Sequence, residues 1–98
     1  MSMKNRYDFT KNLYNNYLIL IKKKDKYYSF DKDKRLLEYI GFNNKLYLLK
    51  KYSINFIVLD DLEILCITNY NVNNYYKYLY ISYIKDILYG IKRRIRSE

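Results

Sequence analysis

Two short apolar runs constrain this chain more than any other feature. Tyr17-Leu18-Ile19-Leu20-Ile21 and Ser53-Ile54-Asn55-Phe56-Ile57-Val58-Leu59 carry β-branched residues and are too short to be buried helices. Each predicts a buried strand, and each is followed by a polar turn and a further strand-like run. Two hairpins are therefore expected. In the first, Lys24-Asp25-Lys26 is the turn and Tyr27-Tyr28-Ser29-Phe30 the return. In the second, Asp60-Asp61 turns the chain into Leu62 to Ile67.

Helical periodicity fills the remainder. Residues 5–14 read as a short polar helix, or 1–14 as a flexible arm, with Phe9, Leu13 and Tyr14 on one side. Asp31 is placed to cap a helix ending near Ile40, with Leu36, Leu37 and Ile40 as its apolar stripe and Gly41 as the left-handed terminator. After the Asn43-Asn44 loop, Leu46, Leu49 and Tyr52 recur at helical spacing, and Lys50-Lys51 suit a helix C-terminus. Asn69, Asn71, Asn73 and Asn74 mark a loop. From Tyr75 onward one long helix is expected, with Tyr76, Leu79 or Tyr80, Tyr83 or Ile84, Ile87 or Leu88, Ile91 and Ile95 facing the core, and Gly90 as a weak point. The order is an optional helix, then β-β-α-α-β-β-α. That is one α+β domain over 1–98: a small mixed sheet of two hairpins against a single layer of helices, with a long C-terminal helix.

The chain can bury a core without metal or disulfide support. Its one cysteine, Cys66, lies in an apolar run and is expected in the core; with no second cysteine, a reducing intracellular compartment (cytoplasm or organelle matrix) is expected. No run reaches the roughly 18 apolar residues of a transmembrane helix. The N-terminus shows neither a signal-peptide core nor, given Asp8, the composition of a transit peptide.

Charge is unevenly placed on this +9 chain. Residues 1–53 carry 13 Lys and Arg against 5 acids (+8), residues 54–76 none against 3 (−3), and residues 77–98 carry 6 against 2 (+4). Two basic flanks around a middle expected to be buried favour an anionic partner, RNA, DNA or a membrane surface. The excess of Lys, Asn, Ile and Tyr, with no Pro, Trp, Ala or Gln, is also what an AT-rich coding sequence writes.

Catalytic chemistry is poorly supplied, so no enzyme and no cofactor are expected. There is no histidine for acid–base work at neutral pH, and Cys66 has no base beside it. Two glycines, Gly41 and Gly90, cannot build a phosphate cradle. Asp31 with Asp33, or Asp60-Asp61 with Glu63, are carboxylate groupings of the kind that holds Mg²⁺ beside a phosphate. A helix cap and a solvated hairpin tip are the simpler readings of each.

Binding chemistry is better supplied. Lys22, Lys23, Lys24 and Lys26 lie beside Tyr27 and Tyr28, and Lys92, Arg93, Arg94 and Arg96 end the last helix. Cations hold phosphates with a steep salt dependence, and an exposed tyrosine stacks on an unpaired base. Strand alternation sends one of Tyr27 and Tyr28 into the core. Tyr75, Tyr78, Tyr80 and Tyr89 cannot all share one stripe, so some are exposed and suit a protein interface. The expected function is a non-enzymatic, nucleic-acid-associated accessory protein contacting RNA or single-stranded DNA. The alternative is an interaction subunit of a larger assembly, such as an organellar ribosome, or an inhibitor encoded by a mobile element.

The segment Tyr17 to Leu37 resembles the opening of the N-terminal domain of the MutS family: an apolar strand, then G-D-F-Y-E-x-F, then acidic residues entering a helix. Asp25, Tyr27, Phe30 and Asp33 stand at matching positions, and Leu46 to Leu59 is similar in spacing to the family's next helix and strand. The mismatch-reading phenylalanine corresponds to Lys26 here, its companion glutamate to Tyr28, and the turn glycine to Lys24. The resemblance implies a mixed α/β domain of nucleic-acid-handling ancestry without the mismatch reader.

Overall fold

A computed structural model describes residues 2–96, with side chains described through Gly90. The elements are α1 (Met3–Leu13), β1 (Leu18–Lys23), β2 (Lys26–Tyr28), α2 (Asp31–Ile40), α3 (Tyr47–Lys51), β3 (Phe56–Leu59), β4 (Ile64–Thr68) and α4 (Tyr75–Arg96). The architecture is α+β, and the expected order holds. α1 is a formed helix, begun by Ser2, whose Oγ accepts from the Asn5 N–H at 3.1 Å.

The sheet order is β2-β1-β3-β4. Both hairpins are antiparallel, and they join through a parallel β1–β3 pairing that sets Leu18 against Phe56 and Ile21 against Leu59. Every residue of β3 and the first four of β1 are buried, so these central strands need cover on both faces. Leu18, Leu20, Phe56 and Val58 pack on one side against Leu36, Leu37 and Ile40 of α2, Leu49 of α3 and Tyr75 of α4. Ile19, Ile21, Ile57 and Leu59 pack on the other against Tyr7 of α1. Helices thus lie on both faces, not in the single layer expected. Burying each of these aliphatic side chains contributes about 1.5–3 kcal/mol.

Local signals fix the helix ends. Gly41, at φ 72°, closes α2 with Gly41 N–H to Glu38 C=O (3.2 Å) and Phe42 N–H to Leu37 C=O (2.9 Å), the paired bonds of a Schellman motif. Ser53, at φ 54°, fills the same role after α3. The asparagine loop is held by its own side chains: Asn73 Oδ1 accepts from the Asn55 N–H (3.0 Å) and the Tyr75 N–H (3.1 Å), fixing the start of α4. α4 continues through Gly90 without a break.

Five expectations are corrected. Asp31 does not cap α2: Phe30 stands at the cap, and Asp31, at φ 53°, pairs with Lys4 at 2.6 Å. Cys66 is exposed, because β4 falls at the sheet edge with neither face covered. With β4 beginning at Ile64, the second turn spans 60–63, and of the acidic middle only residues 54–59 and Tyr75 are buried. Finally, α4 is rotated one position from the expected stripe. Tyr75 and Ser82 are buried and Tyr78 and Leu79 partly so, while Tyr76, Tyr80, Tyr83, Ile87 and Leu88 are exposed.

The rotation has a polar cause. Asp33, fully buried on α2, accepts from Lys11 Nζ at 3.0 and 3.1 Å, the Ile19 N–H at 3.0 Å and Tyr75 Oη at 2.5 Å. Lys11 also donates to the Tyr17 carbonyl and to Tyr75 Oη. One carboxylate therefore ties α1, β1, α2 and α4 together, and Tyr75 must face inward to reach it. Burial pushes the Lys11 ammonium down to about 8, against the opposing pull of Asp33. Burial, reinforced by the Asp33 charge, pushes the Tyr75 and Tyr7 phenols up.

Candidate nucleic-acid interface

β1 leaves the core as its sequence changes from the buried Leu-Ile-Leu-Ile to the exposed Lys22-Lys23. The loop is the two residues Lys24-Asp25, with Lys24 at φ 57°, and Lys23 pairs with Lys26, Lys22 with Tyr27 and Ile21 with Tyr28. Asn44 braces this tip from the α2–α3 loop: its Oδ1 accepts the Tyr27 N–H at 2.8 Å, and its Nδ2 donates to the Asp25 carbonyl at 2.9 Å.

Pairing and alternation sort the side chains by face. Tyr27 turns toward α2 and packs edge-on against Phe42, ring centroids 6.4 Å apart, so it belongs to the core. Tyr28 turns to the α1 side with Lys23 and Lys26 and is 39% exposed. With Met3, Lys24 and Asp25 these three line an open recess of about 530 Å³. A second recess of about 350 Å³ adjoins it and shares Met3 and Tyr28. Lys22, Lys23, Lys24 and Lys26 are exposed, and none makes an ion pair among the described residues. An aromatic floor with unpaired cations around it can receive a flat ring and its flanking phosphates.

The other sequence candidates fare differently. The side chains of Lys92, Arg93, Arg94 and Arg96 lie outside the described residues. The carboxylates of Asp31 and Asp33 are split, one at the surface on Lys4 and one in the core. Asp60 Oδ1 accepts the Leu62 and Glu63 N–H groups, each at 2.8 Å, and these bonds lower its pKa. No group of three metal-ligating side chains occurs among the described residues. No described helix is long and apolar enough to cross a membrane.

Sequence reasoning missed Met3, Asn44 and the Lys11–Asp33–Tyr75 node. Asp33 did carry a signal, since it precedes Leu36, Leu37 and Ile40 by three, four and seven residues and so falls on the buried stripe of α2. Comparison with protein-family models, curated proteins and solved structures gave no match.

Proposed function

We propose that this chain is a non-enzymatic binding protein for single-stranded nucleic acid, RNA or DNA, engaged by the β1–β2 hairpin. The observation that carries the reading is the recess in which Tyr28 lies between Lys23, Lys24 and Lys26, all free of ion pairs among the described residues. Phosphates would meet the lysines and an unpaired base would stack on Tyr28, an arrangement tolerant of sequence. The MutS resemblance contributes no residue to this reading, because that family's mismatch-reading residues are replaced here by Lys26 and Tyr28.

The test is retention of the full chain on single-stranded RNA and DNA between about 50 and 200 mM salt. Binding is expected at the low end and a steep fall toward the high end. Replacing Lys23, Lys24 and Lys26 by Ala should reduce the log–log salt slope by about 2. Absence of binding at 50 mM defeats the proposal.

A second reading rests on α4. Tyr76, Tyr80 and Tyr83 form an exposed stripe, with the Arg35 guanidinium 5.1 Å from the Tyr83 ring centroid. With Leu79 they line an apolar depression of about 450 Å³. Tyrosine and arginine are the residue types that anchor protein interfaces. On this reading the chain is an interaction subunit or inhibitor, and a partner should co-purify after nuclease treatment. Losing every partner to nuclease counts against it.

A further inference from the structure

The sheet has a second edge, and apart from one bulge it carries none of the usual devices that discourage pairing. Natural edge strands carry lysines, prolines or inward charges that discourage pairing. β4 carries none: its residues are Ile64, Leu65, Cys66, Ile67 and Thr68. Ile64, Leu65 and Ile67 are 42%, 43% and 45% exposed, and Leu62 before them is 90% exposed. Across from β3, Leu65 is the extra residue at a bulge, and no strand pairs with the outer edge of β4 among the described residues.

We infer that β4 is a self-association edge, where two copies pair antiparallel about a two-fold axis through Cys66. Self-complementarity is the first reason for choosing a second copy. In this register Cys66 opposes Cys66, Leu65 of one copy meets Ile67 of the other, and Ile64 meets Thr68, so no charge is placed in the pairing. Charge distribution is the second. Residues 54–76 contain no Lys or Arg, and their three acids, Asp60, Asp61 and Glu63, all precede β4. The antiparallel register lays each acidic tip beside the other copy's neutral Asn69-Tyr70-Asn71 segment. It separates the two Glu63 positions by six residues, roughly 20 Å at strand rise and beyond the screening length of about 8 Å. Pairing β4 on another copy's β2 would offer only three residues and would not close on itself.

Extent sets the strength. Five residues per copy fall well short of the roughly 800 Å² per partner of a standard interface. The dimer is therefore expected to be weak and reversible.

The experiment is sedimentation equilibrium of the full chain from about 10 μM to 1 mM, under reducing conditions, at low and high salt. A monomer–dimer equilibrium is expected, tighter at high salt because two +9 chains repel less when screened. Nucleic-acid binding weakens with salt, so the two proposals fail separately. Ile67→Lys and Leu65→Glu, each checked for folding by circular dichroism, should weaken the dimer at least tenfold. Tyr80→Lys on α4 should leave it unchanged. Mild oxidation with diamide should trap a Cys66–Cys66 disulfide in proportion to dimer, because opposed strand residues lie about 4.5–5.5 Å apart at Cα, within disulfide reach. Four results overturn the inference: a folded chain monomeric at 1 mM, open-ended oligomers, a dimer lost in Tyr80→Lys, or trapping as fast in Ile67→Lys as in the native chain.

Discussion

The two edges of this sheet are built on opposite plans. β2 is three residues long, crowned by lysines and pinned at its tip by Asn44. β4 is five residues long, uncharged and open on its outer side among the described residues. Both hang from the same pair of buried strands, so the difference lies in side chains and not in position within the fold. Lysine near an edge keeps other strands away and at the same time recruits phosphates. An apolar edge does the reverse. If both proposals hold, one small sheet separates two kinds of contact along its width, with the core between them.

The change that should erase this contrast is Asp33→Ala. It leaves Lys11 buried without its carboxylate, which typically costs about 3–5 kcal/mol, and both edges should melt together in a single urea transition at lower denaturant.

Next in size is the response of the same node to pH. Lys11 titrates near 8 in the folded chain and near its ordinary 10.5 when unfolded. The unfolded chain therefore holds the extra proton between those values, and stability should rise with pH across that window, by about 3 kcal/mol at most. Above about pH 10 the sign reverses. Tyr7 and Tyr75 keep protons when folded that the unfolded chain gives up. Urea unfolding from pH 7 to 11 should show the maximum, and Lys11→Met should remove the rise while Asp33 retains its Ile19 and Tyr75 donors.

Tyr27 and Tyr28 sharpen the β2 side of the contrast. Tyr27→Ala should cost about 2 kcal/mol of stability by removing a ring packed against the core. Tyr28→Ala should change stability little and instead weaken single-strand binding by about 1–3 kcal/mol. Equal effects of the two on both readouts would mean that the two faces of β2 are not distinct. The smallest effect expected is that of Asn44→Ala, which removes both braces of the hairpin tip. It should cost about 1 kcal/mol and speed amide exchange at Tyr27 while leaving β4 unchanged.

The backbone plan was legible because local signals agreed with the tertiary result. The runs at 18–21 and 56–59 are apolar on both faces, and Gly41 stands where a left-handed residue closes α2. What escaped depended on neighbours distant in sequence. Apolar content alone placed Cys66 in the core, since nothing local says which strand becomes an edge. The rotation of α4 was misjudged because tyrosine suits either side of a helix. Tyr75 faces inward through a hydroxyl partner 42 residues away. The hairpin lysines could be found in the sequence, but which tyrosine they accompany required the pairing register.

That distant partnership bears on how the chain is made. Everything needed for the four strands has been synthesised by Thr68, yet the carboxylate inside the sheet's helical cover still lacks its phenolic donor until residue 75 emerges. Within the first 68 residues that acid has Lys11 and the Ile19 N–H as partners, and only the Tyr75 hydroxyl comes from beyond the strands. The first residue of α4 therefore closes a node whose other members all precede the third strand.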